Sequence, residues 1–330
     1  MKLLLAATAL MFSDGLPAKS PAAAGMSASR LAKIDHVVER GLAAGGFPGA
    51  SVVVGRKGFA VWEKGFGRLG WTPSSGYVIP DRTIYDIASL TKVVATTTAI
   101  MLLHDEGKVR LEDPVSRFLP GFSGGSKDRV TVHQLLTHRS GLPAGRDIWR
   151  IARTPDAARE AVIASALTAE PGSRYEYSDL GADILAFVAE AAAGERLDRY
   201  LQRRVFTPLG MTDTDFRPAG SLRGRIAPTE LTPPRGYPIR GEVHDENAFV
   251  LGGIANSVHN VAVRTMLQKE APPGQHGKVA AIYSAAMGVE KVDTNRNFFD
   301  LCYLACTELG VTCQWRMDDR PYSDLHLERS

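Results

Sequence analysis

Ser89-Leu90-Thr91-Lys92 sets a hydroxyl and an amine three residues apart. Positions i and i+3 share a helix face, so the Lys92 amine can reach the Ser89 hydroxyl within one turn. A serine hydroxyl is a weak nucleophile without a base, and a desolvated lysine with a lowered pKa can serve as one. Lys92 is the only lysine in the chain with a serine three residues before it. The chemistry on offer is attack on a carbonyl, transfer of the acyl group to Ser89, and release by water. At a helix start Ser89 also meets the positive end of the helix dipole, which favours charge developing on its oxygen.

The surrounding pattern predicts how this pair is held. Thr83 to Ala88 reads as a strand that delivers Ser89, and Val93 to Asp105 as a long helix ended by Gly107. Pro171-Gly172-Ser173 marks a turn before Tyr177-Ser178-Asp179, after which Leu180, Ile184, Leu185, Val188 and Ala189 recur at helical spacing. A phenol there can share a proton with Lys92. Tyr175 and Tyr177 are the two candidates for that part. Leu135-Leu136-Thr137-His138-Arg139-Ser140-Gly141-Leu142-Pro143 closes a short helix capped by Thr131, and His244-Asp245-Glu246-Asn247 precedes Gly252-Gly253.

In this order and at these separations, the segments resemble the serine beta-lactamase-like superfamily: class C beta-lactamases, DD-peptidases and family VIII esterases. The resemblance rests on Ser89-Leu90-Thr91-Lys92, Tyr177-Ser178-Asp179, the Leu-Leu-Thr-His-Arg-Ser-Gly-Leu segment, and Phe47-Pro48-Gly49-Ala50 leading into a hairpin. It covers roughly residues 20 to 269. It implies Ser89 as the acylated nucleophile, Lys92 as base or proton shuttle, Tyr177 as the group that protonates the leaving group, and Asp179 on the substrate side. One oxyanion donor would be the backbone N–H of Ser89.

Two departures stand against the resemblance. Where much of the family has asparagine two residues after the tyrosine, this chain has Asp179. A carboxylate beside Lys92 favours the ammonium and opposes its use as a base, so slow acylation is expected. The family's third element, a Lys-Thr-Gly or His-x-Gly tripeptide on a strand beside the nucleophile, is not found; His276-Gly277-Lys278 has similar letters in another order. Residues 270–330 are read as a divergent or truncated end. These departures leave a second reading open: a catalytically crippled relative that binds cell-wall peptide or has no activity.

The expected fold class is α+β, beta-lactamase/transpeptidase-like: an antiparallel sheet flanked by helices, with an inserted mostly helical lobe over about residues 95–250. Ser27 or Ser29 caps a first helix with an apolar face of Leu31, Ile34, Val37, Val38 and Leu42 that stops at Gly45-Gly46. Ala50 to Val54 and Phe59 to Trp62 flank Arg56-Lys57-Gly58 as a hairpin. Pro218 to Pro238 reads as an irregular surface excursion, Ser257 to Gln268 as a helix, and Phe298 to Leu304 as a strand or helix.

A chain of 330 residues with 44% hydrophobic and 23% charged residues and a net charge of +3 is ordinary for a soluble enzyme. No basic run calls for nucleic acid. Lys2 followed by the apolar run Leu3 to Phe12 reads as a signal peptide over residues 1–19, too short to span a bilayer, which implies a periplasmic or secreted protein without stable membrane insertion. Cys302, Cys306 and Cys313 have the wrong spacing for zinc, and an odd number leaves one thiol over. Gly65-Phe66-Gly67-Arg68-Leu69-Gly70 fits a dinucleotide pattern, but Trp71-Thr72-Pro73 follows where a helix should begin. The Gly-x-Ser-x-Gly elbow is absent. The expected partner is a small ester, beta-lactam or D-alanyl peptide, without cofactor or metal.

Overall fold

The computed structural model describes residues 17–230 and 235–252, with the backbone of short strands at 280–285, 316–317 and 320–321. The apolar run Leu3 to Phe12, His276-Gly277-Lys278, the helix expected over Ser257 to Gln268, the Phe298 to Leu304 segment and the three cysteines lie outside the described residues.

Ser27 accepts from the Arg30 N–H and caps α1 (Ala28–Leu31), which runs almost directly into α2 (Lys33–Ala43). The apolar spacing read from sequence is the buried face: Leu31, Ile34, Val37 and Val38 are buried. The hairpin follows as β1 (Gly49–Arg56) and β2 (Phe59–Gly67). Lys57 and Gly58 turn it with φ of 53° and 77°, the pair of positive angles that matches the right-handed twist of the flanking strands. Leu31, Ile34 and Val38 pack with Val52, Val54, Val61 and Phe66, so the helices cover one face of the sheet.

A larger core holds the helical part together: α3 (Thr98–Asp105), α4 (Val132–Leu136), α5 (Ile148–Ile151), α6 (Pro155–Ile163), α7 (Asp179–Ala193), α8 (Leu197–Leu201) and α9 (Glu246–Val250). Its cluster runs from Ile87 to Leu251, and α7 lies at its centre, with ten consecutive residues, Leu180 to Ala189, buried. A stretch buried on every side reads as apolar all round, as Leu180 to Ala189 does apart from Asp183. The third strand, β3 (Ala280–Ala285), pairs antiparallel with β1, giving the order β2-β1-β3 with Ala50 opposite Ala285 and Val54 opposite Ala281. Helices plus an antiparallel sheet make the expected α+β class.

Two expectations are corrected. Thr83 to Ala88 is not a sheet strand: it makes an isolated bridge from Ile84 to Ile226, with the Ile84 N–H on the Arg225 carbonyl and the Ala227 N–H on the Ile84 carbonyl, and it leaves extended backbone before Ala88. Its partner therefore comes from the Pro218 to Pro238 stretch, which is not purely a surface excursion. Gly220–Arg225 forms a 3-10 helix, and Ile226 and Ala227 are buried. Two apolar residues, Ile226 and Ala227, are enough to pack that backbone against Ile84, in the segment that leads to Ser89.

Candidate active site

The nucleophile turn is strained and pinned. Ala88 adopts φ 44°, a left-handed conformation that a residue with a Cβ rarely takes and that concentrates at functional sites. Asp86 holds it: one carboxylate oxygen accepts from the Ala88 N–H at 2.8 Å, the other from the His244 N–H at 2.9 Å. Ser89 then sits in a single 3-10 turn, Ala88–Leu90, followed by a π-helical stretch, Lys92–Thr97, before α3 begins at Thr98. The uniform helix expected after Ser89 is thus three windings in succession, and wide π turns are frequent at functional sites. The spacing argument survives, because the Lys92 Nζ lies 3.0 Å from the Ser89 Oγ. Ser89 is exposed, whereas Lys92 is buried.

Lys92 is held on the other side by Asp179, whose Oδ1 is 2.7 Å from Nζ. Burial is the strongest influence on Lys92 and pulls its pKa down. The Asp179 charge and hydrogen bond, together with Tyr177, outweigh that, and the net effect holds Lys92 above its ordinary value. Lys92 is therefore an ammonium at rest and donates to Ser89.

Tyr177 and Asp179 flank the cap of α7. The Ser178 hydroxyl accepts from the Gly181 N–H at 3.0 Å and donates to the Pro143 carbonyl at 2.7 Å. The Asp179 N–H donates to the Ala144 carbonyl. Ser178→Ala is expected to cost about 1–2 kcal/mol, because it removes a helix cap and strands a carbonyl; urea unfolding measures it. The Tyr177 ring lies 5.1 Å from the Lys92 Nζ, and Tyr175 instead meets His138 edge-on at 6.0 Å.

The Leu-Leu-Thr-His segment is the third wall. Thr131 and Gln134 form a reciprocal capping box at the start of α4. Gly141 has φ 82°, and a Cβ there would lie 2.2 Å from the Ala169 carbonyl oxygen, so only glycine lets this loop close on its neighbour. His138 stacks on Tyr177 with ring centroids 4.6 Å apart.

On the fourth side, Asp245 caps α9 through the Ala248 N–H at 2.7 Å. Burial pushes its carboxyl pKa up; the bond from Ala248 opposes this, while Asp179 and Glu246 add to it. The structure thus brings Ser89, Lys92, Tyr177 and Asp179 into one cluster. Sequence reasoning missed Asp86, although aspartate two residues before a left-handed position is a recognisable local turn signal. Among the described residues, no group of three or more His, Cys, Asp or Glu is arranged to hold a metal, and no helix is long and apolar enough to cross a membrane.

Comparison with known proteins places this arrangement. A protein of Escherichia coli K12 named as a D-alanyl-D-alanine carboxypeptidase is 29% identical over 285 residues, covering 73% of this chain and 62% of its own. An N-acetylmuramyl-L-alanine amidase of Bacillus subtilis is 30% identical, covering 68% of this chain and 57% of its own. The chain therefore spans about three fifths of the length of these relatives. A class C beta-lactamase shares the fold with a TM-score of 0.59 at 22% identity, over 71% of this chain and 62% of that one. A hydrolase with promiscuous acyltransferase activity does so with a TM-score of 0.58 at 23% identity, over 73% and 74%. The beta-lactamase family profile matches residues 34–289, a span that holds Ser89, Lys92, Tyr177 and Asp179, and so this chain belongs to the beta-lactamase family.

Proposed function

We propose that the protein is a serine hydrolase that works through an acyl-enzyme on a small ester, beta-lactam or D-alanyl peptide, with ester preferred. The observation that carries this reading is the 3.0 Å contact between a buried Lys92 amine and an exposed Ser89 hydroxyl. The free-amine form of Lys92 accepts the Ser89 proton as Ser89 attacks the carbonyl, and Lys92 with Tyr177 returns that proton to the leaving group. Water then releases the acyl group from Ser89. The sequence needs no cofactor, because both half-reactions move only protons and an acyl group. Ester is preferred because the Ser-Leu-Thr-Lys segment resembles that of the esterase members and ester cleavage demands least from protonation of the leaving group. The E. coli and B. subtilis relatives support peptide and cell-wall amide substrates as the alternatives.

The Asp179 ion pair also favours the second reading, a crippled relative that acylates slowly and turns over poorly. The run Leu3 to Phe12 behind Lys2 supports a periplasmic or secreted location.

Intact-mass analysis after exposure to a fluorophosphonate, and separately to a penicillin, tests the reading. One adduct per chain, mapped to Ser89, is expected with the fluorophosphonate. A folded protein that takes up neither reagent sinks the hydrolase reading and leaves the crippled relative.

A further inference from the structure

We propose that His138 is a positioning residue that fixes Tyr177 over Lys92. This inference rests on the serine hydrolase reading and names a part of its machinery that the Ser89 and Lys92 motif does not contain.

The argument begins with the backbone. His138 has φ 54°, beyond the end of α4, at the place where a helix usually ends on glycine. Glycine would sit there without strain, so an imidazole in that position has another use. Three contacts show what it is. The His138 carbonyl accepts from the Glu176 N–H at 2.9 Å. The His138 Nδ1 accepts from the Ser178 N–H at 3.1 Å. Between those two anchors, the ring lies against the Tyr177 ring at 4.6 Å and 34°. One residue thus binds the neighbours of Tyr177 on both sides and packs on its face.

The bond to Ser178 also fixes the protonation state. An Nδ1 that accepts carries no proton, so the neutral ring holds its proton on Nε2. The groups facing the imidazole are Lys92 from the π-helical stretch, Asp179 from the start of α7, and Tyr175 and Tyr177 from the segment between them. Burial lowers the His138 pKa most, the Lys92 charge lowers it further, and Asp179 partly opposes them. Protonation would aim an N–H at the Ser178 N–H and release the hold on Tyr177. The neutral ring is therefore the working form, and the site carries an acid limb that begins below the ordinary histidine value of about 6.5.

Phosphonylation of Ser89 by a fluorophosphonate, with fluoride as the leaving group, followed by intact mass between pH 4.5 and 9 (about the span over which histidine titrates fully), tests this with two variants. His138→Asn keeps a residue that tolerates the left-handed backbone and removes the ring and its titration. His138→Phe keeps a ring and removes the acceptor. Circular dichroism and thermal midpoints establish that each is folded at every pH used. In the wild type, log rate against pH is expected to steepen at the acid end, where loss of the Lys92 amine and protonation of His138 act together. Both variants are expected to react with the fluorophosphonate about ten-fold more slowly at neutral pH and to lose the extra steepness. A residue with only a structural part would lower the folded fraction and leave the shape of the profile unchanged. Folded variants that follow the wild-type profile within about two-fold overturn the proposal.

A wild type that never acylates defeats the hydrolase reading instead. Positioning is then decided by the Tyr177 ring resonances of 13C-tyrosine-labelled protein. Resonances that move on acidification and in His138→Asn support the hold on Tyr177, and resonances that stay in place overturn it.

Discussion

Ser89→Ala is expected to abolish the fluorophosphonate adduct and to lower ester hydrolysis by about a million-fold, or to the uncatalysed background where turnover starts below that. The size follows from the kind of catalysis. When an acyl-enzyme carries the reaction, no neighbouring group replaces the nucleophile, and what survives is binding and polarisation of the carbonyl. The fold should not respond, since Ser89 is exposed and its hydroxyl bonds only to Lys92 among the described contacts. Lys92 keeps its ion pair with Asp179 in the variant, so no buried charge is orphaned. A thermal midpoint unchanged within a few degrees, with the adduct lost, separates removal of the nucleophile from loss of structure. Removing Ser89 together with Lys92 should cost little more than removing Ser89, because residues that act as one unit are far from additive. An alanine variant that still takes up one fluorophosphonate assigns the nucleophile elsewhere.

What could be read from the sequence was local. Ser89 and Lys92 meet because residues three apart share a face of a 3-10 or α turn, and the interval from Ser89 to Lys92 precedes the π stretch that begins at Lys92. Thr131 as a cap, the Lys57-Gly58 turn and the buried face of the first helices are likewise decided within a few residues. The contact between Lys92 and Asp179 was also expected, but only through the family resemblance, since 87 positions separate the two residues in sequence. Non-local pairing is where local reading stopped. Thr83 to Ala88 has the composition of a strand, yet whether it joins a sheet depends on a partner, and the partner is Ile226 in an irregular stretch. His138 looked like a helix-end residue because nothing within five positions of it reveals Tyr177 on its ring. Asp86 carried a local turn signal through its bond to Ala88, but its second role, on the backbone of His244 158 positions away, was beyond local reading.

Asp179→Asn is expected to speed acylation at neutral pH by about ten- to a hundred-fold, and to lower stability at the same time. Two influences compete at Lys92: burial favours the free amine, Asp179 favours the ammonium, and the carboxylate with Tyr177 prevails. A carboxylate paired with a cation shifts a pKa by about one to three units, and the upper end is discounted here because the Asp179 side chain is 42% exposed. Asparagine keeps the shape and removes the charge, so burial becomes the leading influence and the Lys92 pKa falls. Each unit of fall raises the fraction of free amine at neutral pH about ten-fold. The stability change has the opposite sign. A raised lysine pKa contributes stability in full below the unfolded value of about 10.4, and that contribution is lost as pH rises through the folded value. Without Asp179 the buried ammonium is disfavoured, so Asp179→Asn should unfold at lower urea than wild type at pH 7, with the gap closing as pH rises. Asp179→Ala separates charge from contact. If the carboxylate acts by holding Lys92 charged, both variants acylate faster; if the asparagine amide acts by holding substrate, only Asp179→Asn does. Equal acylation rates for wild type and Asp179→Asn across pH would show that the ion pair at 2.7 Å does not limit the base.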